Sequence, residues 1–127
     1  MLKNLSVLIV DDSNIIRGKL HSMINELEHI KSVFEAEDFD SAMHEVKANK
    51  PSVVLLDINL PGKSGFEILK EIKIFNKAIK VIMVSNVATE YHQKICGFLG
   101  ADFFIDKYNE FEKIPSLLKS IHLKNFN

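Results

Sequence analysis

The stretch LSVLIVDDSN, residues 5–14, decides the fold of this chain. An apolar run that is typical of a buried strand ends in two adjacent carboxylates, Asp11 and Asp12. Two neighbouring negative charges repel each other, and each loses hydration energy when it is buried. A strand that ends in this way needs a compensating positive charge close by.

Further apolar runs of three to four residues recur along the chain, and segments with apolar residues at helical spacing lie between them. We predict strands at Val7–Val10, Val33–Ala36, Val53–Leu56, Val81–Val84 and Phe103–Ile105. This alternation predicts an α/β fold, the doubly wound, flavodoxin-like (βα)5 arrangement. Its parallel sheet has five strands in the order 2-1-3-4-5, and ligands bind at the carboxyl ends of the strands.

Local signals mark several of the predicted helices. Ser64 and Glu67 have the spacing of a capping box at the start of the third helix. Gly100 suits the C-terminal end of the fourth helix, in which Phe98 belongs to the apolar face. Pro115 fits only near the start of the fifth helix, because an interior proline would break it.

The bulk properties limit the possible functions. A length of 127 residues suits one domain, residues 1–127, with no output domain. The net charge of -1 gives no overall electrostatic attraction to nucleic acid or to an anionic membrane. No apolar run approaches the ~20 residues that span a bilayer, so we expect a cytoplasmic protein. The single cysteine, Cys96, excludes an internal disulfide, and we expect it to pack in the core.

The carboxyl ends of strands one and three carry Asp11, Asp12 and Asp57. These strands are neighbours in the predicted order, about 4.8 Å apart, so three carboxylates converge at one edge. A hard divalent cation with oxygen ligands offsets their repulsion, and Mg²⁺ with several waters suits an open site of this kind. The backbone carbonyl of Asn59 is placed to supply another oxygen.

The ends of strands four and five carry groups of a different kind. Ser85 offers a hydroxyl, and Lys107 offers a flexible positive charge suited to phosphate. Carboxylates, a cation, a lysine and a hydroxyl together describe a site that accepts a phosphoryl group. Asp57 is the central carboxylate, so we expect it to be the nucleophile.

Simpler interpretations exist for each residue taken alone. Asp11, Asp12 and Ser13 can be the acids and the cap of a helix N-terminus, and Lys107 can be a surface lysine. Their joint placement at strand ends on one edge argues against this. The five histidines lack the spacing of zinc ligands, and we expect them to lie scattered on the surface or to be partly buried.

Four motifs carry a family resemblance: VDDS at 10–13, LDINLPGKSG at 56–65, VSN at 84–86 and GADFFIDK at 100–107. Over essentially its whole length the chain resembles the receiver domain of bacterial response regulators, of the chemotaxis-receiver type, in two-component signal transduction. The resemblance implies that Asp57 is the phosphoacceptor and that Lys107 contacts the phosphoryl group. It also implies that Mg²⁺ is held by Asp12, Asp57 and the backbone carbonyl of Asn59, and by Asp11 through a water.

The resemblance further implies a switch. Ser85 turns towards the phosphoryl group, and the rotamer of Phe104 follows it. The face formed by the fourth helix, the fifth strand and the fifth helix then binds a downstream protein target. The same face is a candidate dimer contact.

The expected donor is the phosphohistidine of a sensor histidine kinase or of a phosphotransfer protein. Such a receiver is a signalling phosphoacceptor rather than an enzyme acting on external substrates. A phosphatase of that kind would want an acid two residues after the nucleophile, where this chain has Asn59. Two alternatives stay open: a relay that passes the phosphoryl group to a phosphotransfer protein, and a scaffold that takes no phosphate.

One position departs from the family pattern. Receivers usually have proline after the lysine, with a cis bond, whereas this chain has Tyr108. A cis bond without proline costs about 2.5–4 kcal/mol, so we expect a trans bond or a strained cis one. Asp106, which precedes Lys107, should be solvated or paired elsewhere. Asn59 and Val87 flank the expected path of the water that hydrolyses the acyl phosphate.

Overall fold

A computed structural model describes residues 5–86 and 89–126. Five parallel strands form one sheet in the order β2-β1-β3-β4-β5, which confirms the predicted topology. The strands are β1 (Leu5–Val10), β2 (Ile30–Ala36), β3 (Val53–Asp57), β4 (Lys80–Ser85) and β5 (Phe103–Asp106). The helices are α1 (Asn14–Asn25), α2 (Phe39–Asn49), α3 (Gly65–Phe75), α4 (Glu90–Phe98) and α5 (Ile114–Phe126), and a short 3₁₀ turn, Phe111–Lys113, precedes α5.

The helices cover both faces of the sheet, and each face has its own core. Side chains from α1 and α5, such as Leu20 and Leu118, pack with one set of strand residues. Side chains from α2, α3 and α4, such as Val46, Ile72 and Cys96, pack with the other set. All five residues of β3 are buried, as expected for a central parallel strand covered on both faces.

The predicted helix signals are found at the predicted ends. Ser64 is the N-cap of α3, and its backbone N–H donates to the Glu67 carboxylate at 3.0 Å. Gly100 follows α4 with φ of 101°, a conformation that favours glycine. The N–H of Ala101 then closes the helix end by donating to the carbonyl of Cys96 at 2.9 Å. Pro115 is the second residue of α5, in agreement with the prediction.

The predicted apolar face of α4 was wrong in one respect. Cys96 is the buried residue of this helix, as expected, and burial raises the pKa of its thiol to about 11. Phe98, however, is 91% exposed. Residues two apart on a helix lie about 200° apart around its axis, so burying Cys96 turns Phe98 towards solvent. The aromatic ring of Tyr91 is exposed on the same helix.

Two histidines form a buried pair, which the sequence did not predict. The rings of His29, just before β2, and His122, in α5, stack with their centroids 4.9 Å apart. Burial, the nearby His122 and Lys119 lower the pKa of His29, and Glu28 only partly offsets this effect.

No helix among the described residues is long and apolar enough to cross a membrane.

Candidate phosphoacceptor site

The backbone places the four predicted strand ends at one edge of the sheet. Val10 is paired with Leu56 in the register of β1 and β3, so Asp11 and Asp57 follow at the same level. Asp57 is the last residue of β3, and Ser85 is the last residue of β4. The N–H of Lys107 donates to the carbonyl of Ser85 at 2.8 Å, which places the lysine just past β5 at the same edge.

Three carboxylates converge there. Asp11, Asp12 and Asp57 each offer an oxygen, and these oxygens lie within 4.8 Å of one another. Asp11 is 3% exposed and Asp57 is 5% exposed, whereas Asp12 is open to solvent. The donor set is made of oxygen alone and has one solvent-facing member. This chemistry fits a hard cation such as Mg²⁺ that keeps several of its waters.

Lys107 supplies the compensating positive charge that the end of β1 needs. Its Nζ lies 3.0 Å from Oδ2 of Asp11 and 3.4 Å from Oδ2 of Asp57. Burial by itself lowers the pKa of Lys107, but the contacts with the two carboxylates outweigh it, and the pKa is raised. The lysine is therefore a firmly held cation that bridges two buried carboxylates.

The surroundings of Asp57 disfavour its ionised form. Burial raises the pKa of Asp57; the Lys107 charge opposes this shift, and the charge of Asp11 adds to it. The backbone N–H of Asn59 donates to Oδ1 of Asp57 at 3.2 Å, which orients the carboxylate. The Asp57 carboxylate is therefore buried beside an ammonium group and two further acids, and its ionised form is poorly hydrated.

Both carboxylate oxygens of Asp11 accept hydrogen bonds from the protein. Its Oδ1 accepts the N–H of Ser13 at 2.9 Å, and its Oδ2 accepts from Lys107. Ser13 is also the N-cap of α1 and accepts the N–H of Ile16 at 3.2 Å. The helix-cap interpretation of Ser13 is therefore correct, and it coexists with the carboxylate cluster.

Ser85 and Phe104 lie on the β4–β5 side of the cluster. Ser85 is fully buried at the end of β4. Phe103 and Phe104 are consecutive in β5 and point to opposite faces of the sheet, and Phe104 packs on the core below α2, α3 and α4. A pocket of about 360 Å³ lies beside β5 on the side of α5, and its lining includes Phe103, Glu110 and Leu117.

The turn after β5 is held by side-chain hydrogen bonds of Asp106, which the sequence analysis did not predict. The Lys107–Tyr108 peptide bond is trans, and no described peptide bond is cis. The Asp106 carboxylate accepts the N–H of Tyr108 at 2.9 Å and that of Asn109 at 3.2 Å. The hydrogen bond from Tyr108 is the main reason why the pKa of Asp106 is lowered. An aspartate whose side chain accepts the backbone N–H two residues further on forms an Asx turn, a common way to close a tight turn.

The loops after β3 and β4 also meet. Nδ2 of Asn59 donates to Oδ1 of Asn86 at 3.4 Å. The N–H of Gly65 donates to the carbonyl of Ile58 at 2.8 Å, which holds the start of α3 against the end of β3. Val87, which we predicted to flank the hydrolytic water, lies outside the described residues.

The arrangement of these residues matches a known family. The family model described as the response regulator receiver domain matches residues 7–119. The chain belongs to the response regulator receiver family. Receiver domains are signalling phosphoacceptors of bacterial two-component systems and bind Mg²⁺ at an acidic site. The acidic pocket of Asp11, Asp12 and Asp57 is consistent with both properties.

Relatives of this receiver differ in length. The chemotaxis protein CheY of Halobacterium salinarum is 35% identical over 115 residues, which cover 91% of this chain and 92% of the relative. The fimbriae Z protein of Salmonella typhimurium is 27% identical over 120 residues, which cover 94% of this chain but 57% of the relative. This receiver therefore spans little more than half of the fimbriae Z protein.

Solved structures share the fold. The CheX–CheY–BeF3–Mg²⁺ complex from Borrelia burgdorferi contains a chain with a TM-score of 0.84 and 31% identity. The match covers 93% of this receiver and 89% of that chain. The response regulator domain of Thermotoga maritima CheB has a TM-score of 0.81 and 31% identity, with 94% of each chain covered.

Proposed function

We propose that this receiver takes a phosphoryl group onto Asp57 from a phosphohistidine, supplied by a sensor histidine kinase or a phosphotransfer protein. The observation that carries the proposal is the Lys107 ammonium group, which bridges the buried carboxylates of Asp11 and Asp57. A permanent cation held against the central acid of a carboxylate cluster is what an incoming phosphoryl group requires for charge stabilisation.

The transfer exchanges one bond for another. A carboxylate oxygen of Asp57 forms a bond to phosphorus while the phosphorus–nitrogen bond of the donor breaks, and the electron pair stays on the imidazole nitrogen. Asp12, Asp57 and the backbone carbonyl of Asn59 would hold Mg²⁺, and Asp11 would hold one of its waters. The bound ion supplies neutralisation of the charge on the transferred oxygens. Lys107 then exchanges its 3.4 Å contact with Asp57 for a phosphoryl oxygen.

The acyl phosphate adds roughly -1.5 to -2 charges next to β4 and β5. Ser85 donates its hydroxyl to the new oxygens, and the ring of Phe104 moves in response. The face made of α4, β5 and α5 thereby shifts towards a state that binds a downstream protein target, and it is also the candidate dimer contact. The Borrelia CheY relative was solved with a protein partner, CheX, which supports a protein as target.

This receiver acts as a switch in the cytoplasm and does not act on external substrates. We propose no direct binding to nucleic acid, because a net charge of -1 gives no overall attraction to the phosphate backbone. Water finally hydrolyses the acyl phosphate and resets the switch.

Acetyl phosphate with and without Mg²⁺, followed by intact mass, tests the proposal. The wild type should gain one phosphoryl group, only with Mg²⁺, and Asp57→Asn should gain none. Asp40→Asn removes an exposed acid in the first turn of α2 and should behave like the wild type. Normal labelling of Asp57→Asn would refute the acceptor assignment.

A phosphohistidine donor separates the remaining possibilities. Transfer from a phosphotransfer protein that runs equally well in reverse would indicate the relay instead of the switch. Absence of uptake from acetyl phosphate and from a phosphohistidine protein would refute the proposal and favour the scaffold.

A further inference from the structure

Arg17 reaches from the first turn of α1 back over the start of the helix to the end of β1. Its Nη1 donates to the backbone carbonyl of Asp11 at 2.6 Å, and its Nη2 donates to the side chain of Asn14. Its Nε donates to Oε1 of Glu35 on β2 at 3.1 Å. The second oxygen of Glu35 lies 2.7 Å from Nδ1 of His21. Each of the three nitrogens of the guanidinium group therefore donates a hydrogen bond, and the side chain is 12% exposed.

The position is electrostatically unfavourable for a cation. The N-terminus of a helix carries partial positive charge, which favours acids in the first turn and disfavours arginine. The first turn of α1 holds no acid. Glu35, on the neighbouring strand, compensates the Arg17 charge from outside the helix. A cation placed against the helix dipole and held there by a carboxylate of another strand indicates a role beyond helix stability.

The carbonyl that Arg17 contacts belongs to the peptide unit between the two adjacent acids. Because a peptide unit is planar, holding the oxygen of Asp11 also sets the orientation of the Asp12 N–H and Cα. Among the described loops and turns, no backbone N–H donates to this oxygen. The N–H of Asp11 is held separately, by the carbonyl of Ala36 at 3.1 Å. Arg17 therefore orients the segment from which the exposed Asp12 carboxylate projects.

We infer that Arg17 is a positioning residue that presets the Asp11–Asp12 peptide for the cation, with Glu35 holding its guanidinium group. The inference rests on the proposed Mg²⁺ site. It extends that site to a side chain that touches neither the cation nor the phosphoryl group.

The sign of the effect distinguishes positioning from simple electrostatics. Loss of a positive charge near three carboxylates should strengthen Mg²⁺ binding if charge alone matters. Loss of a group that orients a ligand should weaken Mg²⁺ binding by about tenfold. Arg17→Lys keeps the charge but cannot reach the Asp11 carbonyl and Glu35 together, because lysine lacks the rigid fork of arginine. It should therefore also bind Mg²⁺ more weakly.

The experiment is a calorimetric Mg²⁺ titration of the full chain, with thermal unfolding recorded in parallel. Arg17→Met and Arg17→Lys should both bind Mg²⁺ more weakly than the wild type. Lys70→Met removes an equal charge from the exposed side of α3 and should leave the Mg²⁺ affinity unchanged. In the Mg²⁺-free protein, the amide NMR signal of Asp12 should shift in both Arg17 variants.

Each outcome decides one claim. Unchanged or tighter Mg²⁺ binding by folded Arg17 variants, with normal binding by the wild type, would overturn the inference alone. No Mg²⁺ binding by the wild type would overturn the proposed site and the inference with it. If Arg17→Met does not fold, Arg17→Lys carries the test by the same criterion.

Discussion

Gly65, the first residue of α3, lies against the backbone that carries the proposed acceptor. A methyl group at this position would stand 2.2 Å from the carbonyl oxygen of Asp57 and 2.7 Å from the Cα of Ile58. Ordinary contacts of such a methyl group begin at 3.4 Å, so the start of α3 and the end of β3 would have to separate by roughly 1 Å. Both contacts are with backbone atoms, which cannot turn away as a flexible side chain does.

Gly65→Ala should therefore destabilise the fold and misplace Asp57. We expect a loss of about 3 kcal/mol in the free energy of unfolding, the cost of an overpacked site. The melting temperature should fall by about 10 °C. Phosphoryl uptake from acetyl phosphate should slow by at least about tenfold, since misplacement of a reacting group by ~1 Å is costly. Thermal unfolding and the time course of intact mass measure the two effects.

Gly18→Ala is the matched control. Gly18 lies within α1, and a methyl group there would meet nothing within 4 Å. Alanine at such a helix position should raise the free energy of unfolding by about 0.5–1 kcal/mol and leave uptake unchanged. If Gly65→Ala melted and reacted like Gly18→Ala, the close approach of α3 to Asp57 would not constrain the site, and the reasoning would be refuted.

Three further predictions concern charges. Asp57→Asn should raise the free energy of unfolding by about 1 kcal/mol, measured by urea denaturation at neutral pH in Mg²⁺-free buffer. The pKa of Asp57 is raised in the folded protein, so the ionised carboxylate destabilises the fold at a pH above that pKa. An unchanged urea midpoint would contradict this prediction. The free energy of unfolding should fall as the pH drops below 6.5, because the pKa of His29 is lower in the folded protein and the unfolded chain therefore binds the proton at a higher pH. His29→Phe should reduce that fall. Asp102→Ala should cost about 2 kcal/mol in the same assay, because Oδ2 of Asp102 accepts from both the Nζ of Lys73 and the backbone N–H of Val81 at 2.9 Å, and the variant removes both hydrogen bonds. The exposed Glu90→Gln should cost less than about 0.5 kcal/mol, and equal costs for these two variants would show that burial does not matter here.

The sheet and the edge that carries the site followed from local sequence. Each predicted apolar run lies within a strand, and one of the first two polar residues after the run marks the end of that strand. Asp11, Asp57, Ser85 and Lys107 could therefore be placed at one edge, because in a doubly wound sheet all carboxyl ends of the strands meet there. The turn and cap signals at Ser64 and Gly100 are equally local, since they depend on residues within one helical turn.

The contacts across the fold followed only from the tertiary structure. Lys107 and Asp11 are 96 residues apart in the chain, and their 3.0 Å contact forms only because the sheet brings the ends of β5 and β1 to one edge, with β4 and β3 between them. The reach of Arg17 to the Asp11 carbonyl depends on the angle at which α1 leaves β1. Spacing along a chain does not encode such angles.

Rotation of a helix about its axis is the other property that sequence left undecided. The pattern of α4 allowed Phe98 to face the core, but packing buried Cys96 and turned Phe98 outwards. The stacking of His29 on His122 likewise depends on which face α5 presents to the loop before β2. The sequence by itself determined where the strands begin and end and which acids follow them, because these are properties of neighbouring residues. Packing decided which distant side chains touch, because helix angles and rotations result from the whole core.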